Sequence, residues 1–184
     1  MATFRGESIP DDLAGIRGIL TLGGEMNLGD PLPWLAAEQA LLAKAHRAGI
    51  PVLGVCLGSQ LLAVALGGEV GPMDSPEVGW AAVSRVAPDP LLDGMPDPMI
   101  QLHAHSHAVQ RLPPGGVLLL SSAACPVQGW RVGPTTIGLQ FHCEWSEALI
   151  ATQVDDPDGM QRHYASYDRL GVQLAQRIRQ HLFE

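Results

Sequence analysis

Apolar residues along this chain gather in short runs interrupted by glycine and proline, and the spacing within each run predicts its conformation. Ile16 to Leu22 is a brief apolar stretch that stops at Gly23-Gly24 and reads as a buried strand. Trp34 to Ala48 places Leu41, Leu42, Ala45 and Ala48 at helical spacing, and Gly49 ends that helix. Pro51–Val55 is a second apolar strand, followed by a helix that runs to about Leu66 and closes at Gly67-Gly68. Strand, helix, strand, helix in this order implies a parallel sheet with helices on its faces. Between Glu69 and Ser122 prolines multiply (Pro72, Pro76, Pro88, Pro90, Pro96, Pro98, Pro113 and Pro114), which predicts short, turn-rich strands of an antiparallel edge or insertion. Val127–Val132 and Thr135–Phe141 read as a hairpin around Gly133-Pro134, with Trp130 and Ile137 in the core. From Gln161 to Phe183, Leu170, Leu174, Ile178 and Leu182 recur at one-turn spacing, a helix that packs back on the sheet. The expected class is α/β, a single domain over residues 1–184 built on a mainly parallel sheet with helices on both faces.

Composition narrows the possible partners. A net charge of −8 and a single lysine, Lys44, argue against a nucleic-acid surface. No apolar run approaches the length of a membrane-spanning helix, and no charged start with an apolar segment suggests secretion. Cys56, Cys125 and Cys143 have no paired spacing that would form a metal or disulfide framework, and fit a reducing cytosol. Cys125 reads as a small buried residue.

One strand-to-helix junction carries candidate chemistry. In Pro51-Val-Leu-Gly-Val-Cys-Leu-Gly-Ser-Gln-Leu-Leu-Ala63 a cysteine stands at the apex, with Gly54 and Gly58 two positions to either side. This is the nucleophile-elbow pattern in cysteine form. A residue held at positive φ in a sharp turn crowds its i−2 and i+2 neighbours, so both must lack bulk. The helix starting at Leu57 would point its N-terminal amides at the sulfur and favour the thiolate. Further on, Thr136-Ile-Gly-Leu-Gln-Phe-His-Cys-Glu-Trp145 is an apolar strand that ends in His142. Alternate residues of an extended chain face one side, so Glu144 can reach the back of the His142 ring. Cysteine, histidine and glutamate in these positions follow the logic of nucleophile, base and orienting carboxylate.

With these stretches in view, the chain resembles the class I glutamine amidotransferases. Val55-Cys56-Leu57-Gly58-Ser59-Gln60 and Gln140-Phe141-His142-Cys143-Glu144 are similar to the family's two signatures. Leu22-Gly-Gly-Glu-Met26 resembles its glycine loop, Glu77-Val-Gly-Trp80 its strand before the variable middle, and His105-Ser-His-Ala-Val109 with Leu112-Pro-Pro-Gly115 its glutamine-binding loop. The pieces fall in the family's order from about Gly18 to Ser146, most similar to stand-alone domains like the glutaminase part of GMP synthase.

The resemblance implies a flavodoxin-like fold in which Cys56 attacks the glutamine amide, His142 is base and acid, and Glu144 orients it. It also implies that backbone amides of Leu57 and Gly24 meet the oxyanion, and that Gln60 and the backbone of Ser106 and His107 hold the substrate. The family's opening strand and helix have no counterpart ahead of Met1-Ala-Thr-Phe-Arg, so the fold is expected to lack that first unit. Glu25 and Cys143 stand where the family has proline.

No cofactor is expected. His103-x-His105-x-His107 has a spacing that can bind zinc, but no carboxylate or cysteine neighbours it in sequence and the resemblance accounts for His105, so no metal is expected either. The expected substrate is glutamine or a γ-glutamyl compound, with ammonia released or passed to an acceptor such as a synthase subunit in trans. A γ-glutamyl peptidase and a non-catalytic binding module stay open beside the amidotransferase.

Overall fold

The computed structural model describes residues 8–10 and 12–184; the opening at Met1–Arg5 lies outside them. Seven strands form one sheet: β1 (Ile19–Thr21), β2 (Val52–Val55), β3 (Glu69–Arg85), β4 (Met99–Arg111), β5 (Gly116–Ser121), β6 (Gly129–Val132) and β7 (Thr136–Leu139). Their order across the sheet is β1-β2-β7-β6-β5-β3-β4. Four α-helices accompany them: α1 (Pro33–Arg47), α2 (Leu57–Ala65), α3 (Glu147–Gln153) and α4 (Pro157–Ile178), the last running into a π-helical turn at Arg179–Phe183. None of the helices in the described residues is long and apolar enough to cross a membrane.

The sheet is mixed, and this corrects the expectation of a mainly parallel one. Only β1 with β2 and β2 with β7 run parallel; the other pairings are antiparallel. The reason lies in the connections. A parallel neighbour requires a crossover of a dozen residues or more, and α1 supplies one between β1 and β2. After Gly68 the successive strands β4 to β7 are joined by links of seven residues or fewer, as at Leu112–Gly115 and Gly133–Thr135, which reverse the chain direction. The longer β3–β4 link, with its 3-10 turn at Pro90–Leu92, also returns the chain antiparallel.

A second correction concerns the proline-rich middle. Its strands are long, 17 residues in β3 and 13 in β4. Prolines 72 and 76 are accommodated because the β3–β4 register shifts between Pro72 and Glu77, freeing the strand of ladder hydrogen bonds there.

Two apolar cores sit on opposite faces. In β2, Leu53 and Val55 join one core with Ile137, Leu139 and the α4 residues Leu170, Leu174 and Ile178. Val52 joins the other, with Leu35 and Leu42 of α1, Leu57 and Leu61 of α2, and Trp130. The alternation follows from the two-residue period of a strand. All four residues of β2 and of β7 are buried, so neither strand has a solvent face.

Helix α4 does more than cover its core. Its Tyr167 hydroxyl accepts the Trp145 N–H at 3.0 Å, and the Tyr164 hydroxyl accepts that of Glu147 at 3.1 Å. At Gly171 a methyl group would strike the Cys143 carbonyl. The helix therefore presses directly on the segment that follows β7.

Candidate active site

Cys56 stands between β2 and α2 with φ 53° and ψ −114°, the sole non-glycine at positive φ among the described residues. Such a conformation costs on the order of 1–3 kcal/mol and persists only where the surroundings enforce it. Here they do. The Cys56 N–H donates to the Leu139 carbonyl at 2.8 Å, tying the elbow to the end of β7. A methyl at Gly54 would lie 2.6 Å from the Gly58 carbonyl oxygen, and one at Gly58 would overlap the Thr21 carbonyl. The two glycines let β1, the elbow and α2 close on one another, as the sequence pattern predicts. The sulfur's residue caps α2, where the helix macrodipole presents partial positive charge.

Strand β7 ends at Leu139, earlier than the sequence pattern predicts, and Gln140 to His142 continue across to β4. The His142 N–H donates to the Leu102 carbonyl at 2.8 Å, closing a bridge between the two. This places His142, which is almost completely buried, beside the elbow. A methyl at Gly23 would come within 2.8 Å of His142 Cε1 and 3.3 Å of Cys56 Cβ, so only a hydrogen fits next to the pair. On the far side of the ring, Nδ1 lies 2.7 Å from Glu144 Oε1, while Glu144 Oε2 accepts the Cys143 N–H at 2.9 Å. Trp145 stacks on the imidazole with ring centroids 4.0 Å apart. Burial disfavours the imidazolium, but hydrogen bonds and charge from Cys56 and Glu144 outweigh it and raise the His142 pKa to about 9. The other two thiols are held in the neutral form: burial pushes Cys125 up to about 11, and Cys143 is pushed well up by burial and by the adjacent Glu144.

A cavity of about 120 Å³ opens at the sulfur, lined by Gly24, Cys56, Leu57, Gln60, Ser106 and His107 together with Glu25, Met26, Asn27, Ala104 and His105. Gly24 and Leu57 face each other across the mouth; a methyl on Gly24 would sit 3.2 Å from Leu57 Cδ2. Gln60, one turn into α2, is buried, and its Nε2 donates to the His107 carbonyl at 2.8 Å and to Gln140 Oε1 at 3.2 Å. It thereby ties the pocket wall of β4 to the strand end that carries His142. Ser106 is exposed, with its hydroxyl 3.2 Å from His107 Nδ1.

The three alternating histidines of β4 divide. His105 and His107 both line the pocket, while His103 and His105 are buried against Glu77 of β3. Glu77 Oε1 accepts from Ser122 at 2.7 Å and Oε2 from Gln128 at 2.6 Å. Burial opposes ionisation of Glu77, yet the adjacent His105 and His103 and the hydrogen bond from Ser122 keep its pKa below the usual carboxylate value. Burial lowers His103 to about 4 against the pull of Glu77. Sequence reading places Glu77 only as a strand residue and misses Gln128 and Trp145. No local pattern links Glu77 to His103, 26 positions away; only the β3–β4 register, which pairs Glu77 with His105 and Gly79 with His103, brings them together.

Comparison with known proteins adds an independent line. The sequence model of the family described as glutamine amidotransferase class-I matches residues 3–153. A glutamine-hydrolyzing GMP synthase from Thermomicrobium roseum is 38% identical over 142 residues, 75% of this chain and 25% of the relative. The chain thus spans about a quarter of the length of the GMP synthases it matches. A protein from Thermococcus kodakarensis, named as one subunit of a glutamine-hydrolyzing GMP synthase, is 34% identical over 106 residues, 57% of this chain and 56% of that one. Among solved structures, a glutamine amido transferase from Methylobacillus flagellatus superposes with a TM-score of 0.88 at 26% identity, covering 98% of this chain and 82% of the other.

Proposed function

The chain belongs to the class-I glutamine amidotransferases, and on that premise we propose that it hydrolyses the side-chain amide of glutamine through Cys56, His142 and Glu144. The Cys56 sulfur attacks the amide carbon while His142 keeps the proton taken from the thiol. The oxygen of the tetrahedral adduct takes up the negative charge and is met by the backbone N–H groups of Leu57 and Gly24. His142 then gives its proton to the amide nitrogen, the carbon–nitrogen bond breaks, and ammonia leaves a γ-glutamyl thioester on Cys56. Water attacks that thioester, His142 takes its proton, and glutamate departs as the sulfur is restored. Glu144 acts on the ring through Nδ1, which leaves Nε2 to face the sulfur. Gln60 and the backbone of Ser106 and His107 hold the amino-acid end of the substrate.

The observation that carries this reading is the meeting of the strained Cys56 elbow, which opens on a small cavity, with the carboxylate-backed His142 beside it. Free glutamine is the substrate of this reading, and γ-glutamyl peptides are the competing one that rate measurements on both would separate. An acceptor in a separate chain is supported by the Thermococcus relative, whose name marks it as one chain of a larger synthase. We infer that ammonia passes to a synthase chain of that kind. The test is to measure ammonia and glutamate release from glutamine and to label the protein with a glutamine-mimicking chloroketone. Label confined to Cys56 and blocked by glutamine is the expected result. Equal label on Cys125 and Cys143, or none that glutamine blocks, would remove the proposal.

A further inference from the structure

Behind the pocket wall lies a buried polar cluster that glutamine hydrolysis does not use. Glu77 Oε2 is the centre of it. His105 Nε2 lies 3.1 Å from this oxygen, His103 Nδ1 3.3 Å, and the terminal amide atom of Gln128 2.6 Å; that same amide atom is 3.4 Å from His103 Nδ1. Donor atoms bound to one tetrahedral zinc at about 2.0–2.1 Å stand about 3.3–3.4 Å apart. Three of the four separations are within a few tenths of an ångström of that spacing.

Hydrogen bonding explains the cluster incompletely. A single carboxylate oxygen faces three nitrogens, yet His105 Nε2 has no well-directed hydrogen-bond partner, and neither has Gln128 Oε1, although both are buried. A 180° turn of the Gln128 amide exchanges its oxygen and nitrogen with almost no change of shape, and would present its oxygen, with a free lone pair, as a fourth donor. The ligand atoms of Glu77, His103 and His105 all lie within 4.8 Å of one another, and all three residues are buried. We propose that Glu77, His103 and His105, completed by the Gln128 side-chain oxygen, bind a divalent transition cation of the zinc type.

Two histidines, a carboxylate and an amide oxygen suit zinc or cobalt better than calcium or magnesium, which prefer all-oxygen sites. The cation balances the buried carboxylate. His105 lines the cavity at Cys56, so that cavity is the entry path. Once bound, the ion joins β3, β4 and the loop before β6, and so holds the Ser106–His107 end of the pocket. The site stands apart from the catalytic reading, because its readout is metal content and spectrum and needs no turnover.

The experiment strips the full chain with a chelator and adds zinc or cobalt alone. The expected result is one ion per chain and the intense visible absorption of four-coordinate cobalt. Cys56→Ala should bind equally, since a thiolate beside an imidazole is the competing ligand pair. His103→Gln should bind at least about tenfold more weakly, with its fold checked by circular dichroism. X-ray absorption on the zinc-loaded wild type serves if that variant does not fold: only nitrogen and oxygen neighbours, near 2.0–2.1 Å, are expected. Absence of uptake at micromolar metal, uptake that follows Cys56 instead of His103, or a sulfur neighbour near 2.3 Å would overturn the proposal and leave the cluster as a hydrogen-bonded brace.

Discussion

The strands β2 and β7 and the long β3–β4 hairpin both build the pocket, but they hold their side chains by different means. In β2 and β7 every residue is buried, and the glycines beside them have carbonyls and side chains where a methyl would go. Backbone touches backbone there, so close contact, with the Cys56 N–H bonded to the Leu139 carbonyl, sets the position of Cys56. The hairpin is half exposed, and beside its buried apolar Val83, Met99, Leu102 and Val109 it holds a polar group at the pocket: Glu77, His103 and His105. Hydrogen bonds and charge, not volume, decide where those side chains sit. A wall built by sterics tolerates no added atom, whereas a wall built by polar pairing tolerates shape changes but not the loss of a partner.

The largest effect should come from Cys56, the nucleophile of the proposed reaction. Cys56→Ala should lower glutamine hydrolysis by about 10⁴-fold or more while leaving the melting temperature nearly unchanged, and Glu144→Gln should cost less than His142→Ala because in the proposed reaction it orients the base without carrying the proton. A Cys56→Ala protein that melts far lower would show that the thiol is part of the packing and blur the contrast between the two regions.

Next in size is the steric half of the comparison. Gly58→Ala forces a methyl against the Thr21 carbonyl, and urea denaturation should show a loss of about 4 kcal/mol or more, or no folding. Gly133→Ala, at φ 58° but with nothing within 4 Å, should lose only about 1–2 kcal/mol. Equal losses would mean that conformational strain, not contact, governs both sites.

The polar half is probed at Gln60, which spans the two regions. Gln60→Leu keeps the bulk but leaves the His107 carbonyl and Gln140 Oε1 without their donor, a cost of about 1–3 kcal/mol. Steady-state kinetics should show a higher KM for glutamine with kcat changed less. A fall in kcat at constant KM would move Gln60 from substrate support to chemistry.

The most gradual effect is on pH. The folded His142 pKa of about 9 lies above the unfolded histidine value of about 6.5, so folding favours the protonated ring. Its contribution to stability is complete below about pH 6.5 and is lost as pH rises through 9. Melting temperatures between pH 6 and pH 10 should therefore decline, and His142→Gln should flatten the decline. An unchanged slope in that variant would place the titration elsewhere.

How much of this is legible in the sequence differs between the same two regions. Gly54, Cys56 and Gly58 lie within five positions, and their spacing states a steric rule that holds wherever the turn occurs. His142 and Glu144 are two apart, so their contact also follows from local geometry, although the mechanism (the carboxylate bracing both the ring and the Cys143 N–H) needs coordinates. The direction of most of the sheet is not legible. Periodicity reports which residues are buried, not whether a neighbour runs parallel, and the parallel start at β1, α1 and β2 does not extend to the rest.

By itself, then, the sequence determined the elbow, the helices α1, α2 and α4, and the burial of Trp130 and Ile137, because each rests on neighbours no more than a few positions apart. The tertiary structure decided the mixed sheet, the length of β3 and β4, the crossing of Gln140–His142 onto Leu102, and the gathering of Glu77, His103, His105 and Gln128. Those depend on strand register between segments tens of residues apart, and register is selected by the summed packing of whole strands, which no local spacing encodes.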